Sequence, residues 1–279
     1  MGRLVVLSDN VFNLLIYPLH TLSSSDTPPA GREIQRIASG RRQRSQNYFT
    51  SAAFNTAVWG RSAFNRVRLF DCAFLDRGHN LGGKTVRIQA SFDLFATYSE
   101  RVAVIPTQTV PYSRLSQTNG LRTEEGAWGW RFDPLAGSAC RIYVDAMGAG
   151  LRPEIVGGYV GQCFRPTNPL IKPFSFGKRQ LDYEVIRAPS AWAGAGEISQ
   201  RKNLELNIRL EDGEYPAGRY HMEELFMRAH PSWIVPDDDQ AEKAYLSRAE
   251  PQEAGFEVPL GKSQWEGRFM APEHEPKAA

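Results

Sequence analysis

The pair His79-Asn80 sits in a loop with Gly78, Gly82 and Gly83, between two β-rich runs at residues 64–74 and 86–91. An imidazole in a glycine loop invites nucleophilic or general-base chemistry. A cysteine hydrolase would need a thiol activated by that ring, and Cys72 is the only one nearby in sequence. Cys72 lies in an apolar run, where burial raises a thiol's pKa and leaves it inert. The architectural reading is simpler: Asn80 tolerates a left-handed backbone, and His79 can donate a hydrogen bond to a loop carbonyl. Gly78, His79 and Asn80 are therefore expected to shape a turn, and no catalytic residue is expected. The glycines lack the Lys-Ser/Thr of a phosphate-binding loop and the strand-to-helix setting of a dinucleotide fold.

Metal and sugar chemistry can be weighed the same way. The chain has no paired Cys-x-x-Cys and no acidic calcium loop. Asp237-Asp238-Asp239 could meet calcium, but three acids ahead of a helix complement its N-terminal dipole. His221 and His230 are nine positions apart, which does not suit one helical face. Neither a metal nor a cofactor is expected. Trp128, Trp130 and Tyr112 could form an aromatic platform for sugar rings, although tryptophans at alternate strand positions also serve to fill one face of a sandwich core. Glu124 and Glu125 close by do not make a glycosidase, because nothing fixes a second carboxylate at a catalytic separation.

The elements that must position these residues are short strands. With 279 residues, 42% hydrophobic and 23% charged, the chain can bury a sizeable core. A formal net charge of +2 is too small to argue for nucleic acid or an anionic membrane as main partner, and no nucleic acid is expected. The apolar run at residues 11–19 is too short to span a bilayer, so no membrane insertion is expected. The three cysteines, Cys72, Cys140 and Cys163, are widely spaced and lie in or near strands, which suggests buried free thiols and a reducing birthplace. Arg32, Arg36, Arg41, Arg42 and Arg44 form a basic segment, either a partner-binding arm or a solvated loop. No aromatic residues interleave there for base stacking.

Period-two alternation marks the strands. In the first run Val67 and Leu69 point one way and Phe70, Cys72 and Phe74 the other, which predicts a central strand covered on both faces. Val86, Ile88 and Ala90 alternate with Arg87 and Gln89; Trp128, Trp130 and Phe132 with Gly129 and Arg131; Cys140, Ile142 and Val144 with Arg141 and Tyr143. Residues 155–164 read as a strand whose Gly157, Gly158 and Gly161 permit close backbone approach. Leu204, Leu206, Ile208 and Leu210 give the clearest alternation, with one wet face. Helical spacing is expected only late: a short helix from near Gly218 carrying Leu225, Phe226 and Ala229, and another at residues 240–248 capped by Asp239. Residues 256–269 return to strand. The count predicts an all-β fold, an antiparallel β-sandwich of jelly-roll type with short helices near the C-terminus.

A resemblance adds a setting. Arg66-Val67-Arg68-Leu69-Phe70, the loop Gly78-His79-Asn80-Leu81 and Thr85-Val86-Arg87-Ile88-Gln89-Ala90-Ser91 together resemble tail-associated proteins of bacteriophages and prophages, which carry a discoidin-like (galactose-binding-like) β-sandwich. Ala139-Cys140-Arg141-Ile142-Tyr143-Val144, Glu154-Ile155-Val156-Gly157-Gly158-Tyr159-Val160-Gly161, Phe164-Arg165-Pro166 and the stretch from Phe176 to Leu210 continue it in the same order. The resemblance covers residues 1–210. The basic segment and the residues from 211 to 279 depart from it, the latter expected as an extension packed on the same domain. It implies a non-enzymatic virion protein of a tail tip or baseplate, made in the host cytoplasm, whose partners are other tail proteins in a homo-oligomeric or symmetric assembly. The arginines at 32–44 and the proline-rich stretch 165–173 are the expected contacts. The alternative is a carbohydrate-binding module for host surface glycans, using Trp128, Trp130 and Tyr112; a hydrolase built on His79 comes third.

Overall fold

The computed structural model describes residues 4–14, 16–23, 37–38, 47–48, 56–76, 79–107, 109–111, 123–125, 127–145, 153–155, 157–167, 178–187, 193–228, 230–236, 244–247, 255–258 and 264–272. In chain order the strands are β1 (Val5–Leu7), β2 (Thr21–Ser23), β3 (Asn47–Tyr48), β4 (Thr56–Leu75), β5 (Thr85–Ser91), β6 (Ser99–Val104), β7 (Thr109–Pro111), β8 (Thr123–Glu125) and β9 (Trp128–Asp145). They continue as β10 (Glu154–Ile155), β11 (Gly158–Gly161), β12 (Lys178–Arg187), β13 (Ala193–Glu211), β14 (Ser232–Val235), β15 (Tyr245–Ser247), β16 (Phe256–Glu257) and β17 (Gln264–Pro272). Pairing is antiparallel in every sheet, and among the described residues the helical structure is a run over residues 215–228 and a 3-10 turn at 37–38. This is the expected antiparallel β-sandwich. No helix among the described residues is long and apolar enough to cross a membrane.

Three sheets matter for the core. The central sheet runs β11-β4-β9-β5-β6, with β2 added on β4; a second runs β12-β13-β17-β16; a third, small one runs β1-β14-β15. The small sheet lies between the other two. Val5, Leu7, Trp233, Val235 and Leu246 pack against Cys72, Phe74 and Tyr159 of the central sheet. Leu4, Val6 and Ile234 pack with Leu206, Ile208, Leu210 and Phe269 of the second sheet. Strands buried on both faces read as unbroken apolar runs, which is how residues 4–7 read. Full burial stabilises by about 2 kcal/mol for each such side chain. The other face of the central sheet holds Phe70, Ala73, Leu75, Val86, Ile88, Cys140, Ile142 and Val144, covered by Val11, Phe12 and Ile37.

Several expectations need correction. Phe70, Cys72 and Phe74 do not share a face, because the β4–β9 register shifts between Phe70 and Cys72. Phe70 joins Ala73 and Leu75 on one side, while Cys72 and Phe74 face the other. A second shift between Ala63 and Arg68 leaves four residues of β4 opposite Ser138 alone, and Val67 (61% exposed) and Leu69 (48%) stand out in solvent. The strand is therefore central, and among its described side chains those of residues 66–69 are largely uncovered while those of 70–75 meet a core on each face. The two runs expected at 128–132 and 140–144 are a single strand, β9. Residues 132–134 face Asp71 alone across the register shift, so Pro134, which lacks an N–H, breaks no regular pairing. The strand expected at 155–164 is two strands in two sheets, β10 on β3 and β11 on β4.

In the last quarter the helical run is one α turn (Tyr215–Gly218), a π stretch (Arg219–Leu225) and a closing 3-10 turn (Phe226–Arg228), burying Met222, Leu225 and Phe226. A helix at 240–248 is contradicted where the chain is described: Tyr245–Ser247 is β15, paired with β14, and its Leu246 enters the core. Pairing to a buried strand overrides local propensity there. The closing segment is split into β16 and β17. The wet face of β13 carries the cross-strand ion pairs Arg209–Glu266 at 2.6 Å and Arg268–Glu205 at 2.7 Å.

Candidate functional site

Beyond the small sheet, the face of the central sheet opposite the Val86/Ile88 core is lined by Arg87, Gln89, Arg141 and Tyr143. Alternation puts them there: β5 and β9 pair Arg87 with Tyr143 and Gln89 with Arg141, while Val86, Ile88 and Ala90 pair with core-facing Val144, Ile142 and Cys140. Arg141 is the centre. Its Nε donates to Gln89 Oε1 at 2.5 Å, and Gln89 Nε2 donates to Glu100 Oε2 at 2.9 Å. The guanidinium lies over Phe95 at 4.3 Å, with Tyr98 at 5.3 Å and Tyr143 at 6.0 Å from their ring centroids. Arg87 extends the charge pattern, 3.6 Å from Glu100 and 3.8 Å from Asp145.

The loop between β5 and β6 supplies Phe95 and Tyr98 and is held from within. Ser91 Oγ accepts from the N–H groups of Asp93 (3.1 Å) and Phe95 (2.8 Å) and donates to Asp93 Oδ1 at 2.7 Å. The Asp93 carboxylate accepts from the Thr97 N–H and hydroxyl, which holds it down at about 2. Leu94 and Phe95 have φ of 54° and 75°, a left-handed pair without glycine that persists only where surroundings over-determine it. A Cβ on Gly137 would lie 2.8 Å from the backbone of Ser91, so β9 approaches the loop root closely. The loop shows Phe92 (64% exposed) and Leu94 (60%) to solvent. A guanidinium edged by rings and joined to an amide and a carboxylate suits a ligand with both C–H faces and hydroxyls.

The residues singled out by type lie elsewhere. Trp128 and Trp130 stand side by side at 5.8 Å, and Phe132 follows at 4.7 Å from Trp130. This row is half-buried and packs against the core on the Val86/Ile88 face of the central sheet, with Leu75 and Ala73 opposite in register. Tyr112, Gly78 and Arg32, Arg36, Arg41, Arg42 and Arg44 lie outside the described residues, as do Asp237, Asp238 and Asp239. Glu124 and Glu125 are on β8, paired with β7. His79 is buried, and at Nδ1 its ring accepts the Leu81 N–H at 3.1 Å. The Cys72 thiol donates to the Ala73 carbonyl at 3.8 Å, and the neighbouring Cys163 thiol together with burial pushes it well up. His221 is buried with Nδ1 3.0 Å from Ser8 Oγ and its ring stacked on Phe164; burial lowers it to about 4. Among the described residues no group of three His, Cys, Asp or Glu side chains could hold a metal ion.

A second polar cluster escaped the sequence reading. Tyr17 donates to Asp9 Oδ1, its hydroxyl is 2.8 Å from that of Tyr220, and Arg68 lies 3.8 Å over the Tyr17 ring and 3.5 Å from Asp9. Burial raises Asp9, opposed by Tyr17 and Arg68, and burial with the nearby Asp9 charge raises Tyr17. The only signal was Ser8-Asp9-Asn10 breaking an apolar run.

No protein-family model matches the chain, and no curated protein matches it. Among solved structures it is similar to chitosan-binding module 1 of a chitosanase/glucanase from Paenibacillus sp. IK-5, at 12% identity and a TM-score of 0.40, over 55% of this chain and 98% of that one. It is also similar to a CBM32 module of a family 31 glycoside hydrolase from Clostridium perfringens, at 12% identity and a TM-score of 0.36, over 52% and 94%. A GH29 fucosidase from Ruminococcus gnavus aligns at 9% identity and a TM-score of 0.38, over 56% of this chain but 27% of the fucosidase. At these identities and scores no ligand of those proteins transfers to this chain.

Proposed function

We propose that this chain is a non-catalytic recognition protein that binds carbohydrate on the open face of its central sheet. The observation that carries this reading is Arg141, flanked by Phe95, Tyr98 and Tyr143 and joined through Gln89 to Glu100. A guanidinium presents donors in a fixed fork that matches vicinal hydroxyls, and an aromatic edge accepts the C–H face of a sugar ring. The loop that carries two of those rings is held in one conformation by Ser91 and Asp93, so little ordering cost falls on binding. The half-buried row of Trp128 and Trp130 is the competing place for the same ligand class.

The test is a glycan array on the full chain, followed by calorimetric titration of any sugar bound. Arg141→Ala and Tyr98→Ala are expected to weaken binding at least tenfold with the fold retained, and Trp128→Ala to leave it within a factor of two. A wild-type chain that binds no glycan, or an Arg141→Ala variant that binds normally, removes this reading.

A second reading, a virion subunit of a phage tail tip or baseplate, is favoured by a specific feature. Phe92, Leu94, Val102 and Val104 are all large, apolar and at least 48% exposed around one loop and strand, the kind of patch that marks a protein contact. Arg32, Arg36, Arg41, Arg42 and Arg44 and the proline-rich 165–173 stretch would add to that contact. Mass spectrometry of purified tails decides it: a chain that never copurifies with tails is not a tail subunit.

A further inference from the structure

We propose that two copies of this chain pair through β6, the free edge of the central sheet, into a symmetric dimer with one continuous sheet. The two edges of that sheet differ. At β11 the outward carbonyls are already taken: Asn10 Nδ2 donates to the Gly158 oxygen at 2.8 Å and the Val11 N–H to the Val160 oxygen at 3.0 Å, and the whole strand is buried. At β6 no described strand pairs on the outer side. Its sequence, Ser99 to Val104, holds no proline and no lysine, and the β5–β6 register runs without a shift. The usual blocks to edge pairing are therefore missing.

Backbone bonds just past the strand fix which groups face outward. The Ile105 N–H donates to the Lys84 carbonyl at 2.9 Å, and the Ile105 carbonyl accepts the Gly83 N–H at 2.8 Å. Ile105 thus turns its polar groups toward β5, and alternation turns those of Arg101 and Ala103 the same way. Glu100, Val102 and Val104 are left with theirs facing the open edge. The Glu100 carbonyl accepts the Arg101 guanidinium at 3.1 Å, and its second lone pair stays available. Val102 and Val104 expose their side chains beside that edge. An open ladder flanked by exposed valines is a template for another strand.

The strand is complementary to itself in one register. With a two-fold axis at Val102, Val102 meets Val102 and Glu100 meets Val104 of the other copy, so every outward N–H and carbonyl over residues 100–104 gains a partner. The valines of both copies then join in one row. A centre at Glu100 or Arg101 sets like charges directly opposite each other, which is destabilising. A centre at Ala103 or Val104 brings Pro106, which has no N–H, into the ladder. The axis is perpendicular to the sheet, so both open faces look the same way. Two Arg141 clusters are presented together, a bivalent surface for sugar; this consequence alone rests on the carbohydrate reading.

Sedimentation equilibrium of the full chain, without sugar, is expected to show a concentration-dependent monomer–dimer equilibrium. Residue-resolved hydrogen exchange locates the contact. The amides of Glu100, Val102 and Val104 should slow as concentration rises, while those of Arg101 and Ala103, bonded to β5, stay slow throughout. Val102→Pro removes only an outward N–H, because Val102 and Arg87 are a non-hydrogen-bonded pair, and Val104→Lys puts a charge on the edge. Each should weaken dimerisation about tenfold or more. A chain that stays monomeric overturns the proposal, as does a dimer in which the three amides still exchange fast. Protection of those amides in a monomer would assign the edge to a segment of the same chain instead. The wild-type measurements decide this even where a variant fails to fold. A dimer that binds no glycan keeps the pairing and removes only the bivalence.

Discussion

Two arginines in this protein sit over aromatic rings beside a carboxylate network, and they are placed for different ends. Arg68 lies over Tyr17 and 3.5 Å from Asp9, whose hydrogen-bonded partners Tyr17 and, through it, Tyr220 come from segments some two hundred positions apart. Arg141 lies over Phe95 and reaches Glu100 through Gln89, all on three adjacent strands, β9, β5 and β6, and the loop between β5 and β6. The first network joins the N-terminal segment, the central sheet and the helical run, and its carboxylate is buried. The second bridges shorter spans, and its arginine and carboxylate are half-buried on either side of the buried Gln89. Similar chemistry therefore acts as a tie in one place and as a presented surface in the other; what separates them is the distance in sequence they bridge and the burial of the charge.

Removing each arginine should expose that difference. Arg68→Ala leaves the buried Asp9 without its cation, and breaking a buried pair typically costs about 3–5 kcal/mol. Urea unfolding is expected to show a loss near the lower figure, because Arg68 is partly exposed. A loss below about 1 kcal/mol would mean that Asp9 simply protonates and that the network is no tie at all.

Acid titration is expected to come next in size. His221 is lowered by burial to about 4 from an ordinary value of 6.5, so between those limits the unfolded chain binds a proton that the folded chain does not. Its contribution is complete above pH 6.5 and is lost as pH falls toward 4. The total is about 3 kcal/mol at 1.36 kcal/mol per unit. Asp9 acts in the opposite sense, since its raised folded value makes its contribution fall as pH rises through that value. Urea unfolding from pH 7 down to pH 4 should show the His221 loss in wild type and a flattened profile in His221→Gln. An unchanged slope in that variant would assign the acid sensitivity to other groups.

Arg141→Ala, by contrast, should cost about 1 kcal/mol, the scale of one cation–π contact at a half-exposed site. Sugar binding should fall with it. If the two arginine variants lost equal stability, the open face would be part of the frame and not a recognition surface.

Which of these networks the sequence revealed follows from how each is built. Strand alternation put Arg87, Gln89, Arg141 and Tyr143 on the face away from the core, because period two survives wherever one side is buried, although Gln89, expected outward, is itself buried there. It failed at Phe70 and Cys72, where a register shift reversed the faces, and no residue type announces a shift of that kind. The small middle sheet was legible only as apolar runs at residues 4–7; its pairing with residues 233–235 is a contact across the whole chain. The Asp9 cluster was invisible for the same reason, since its members come from the N-terminal segment, the central sheet and the helical run. Tyr245–Ser247 went wrong in the other direction, a local helical reading overridden by pairing with β14.

The smallest effect expected concerns the loop that presents Phe95 and Tyr98. Leu94 adopts φ of 54° with its side chain 60% exposed, so it bears the strain of a left-handed backbone without burying apolar surface in return. Asparagine tolerates that conformation better, and Leu94→Asn should stabilise the chain by about 0.5–1 kcal/mol. The same change removes one of the most exposed apolar side chains beside Phe92. If the loop serves sugar binding through Arg141, affinity should hold while thermal stability rises. If it serves as a subunit contact, the variant should be more stable in isolation yet incorporate poorly into the assembly. A variant that is less stable would show instead that Leu94 is held by packing, and that the loop's conformation owes more to its neighbours than to Ser91 and Asp93.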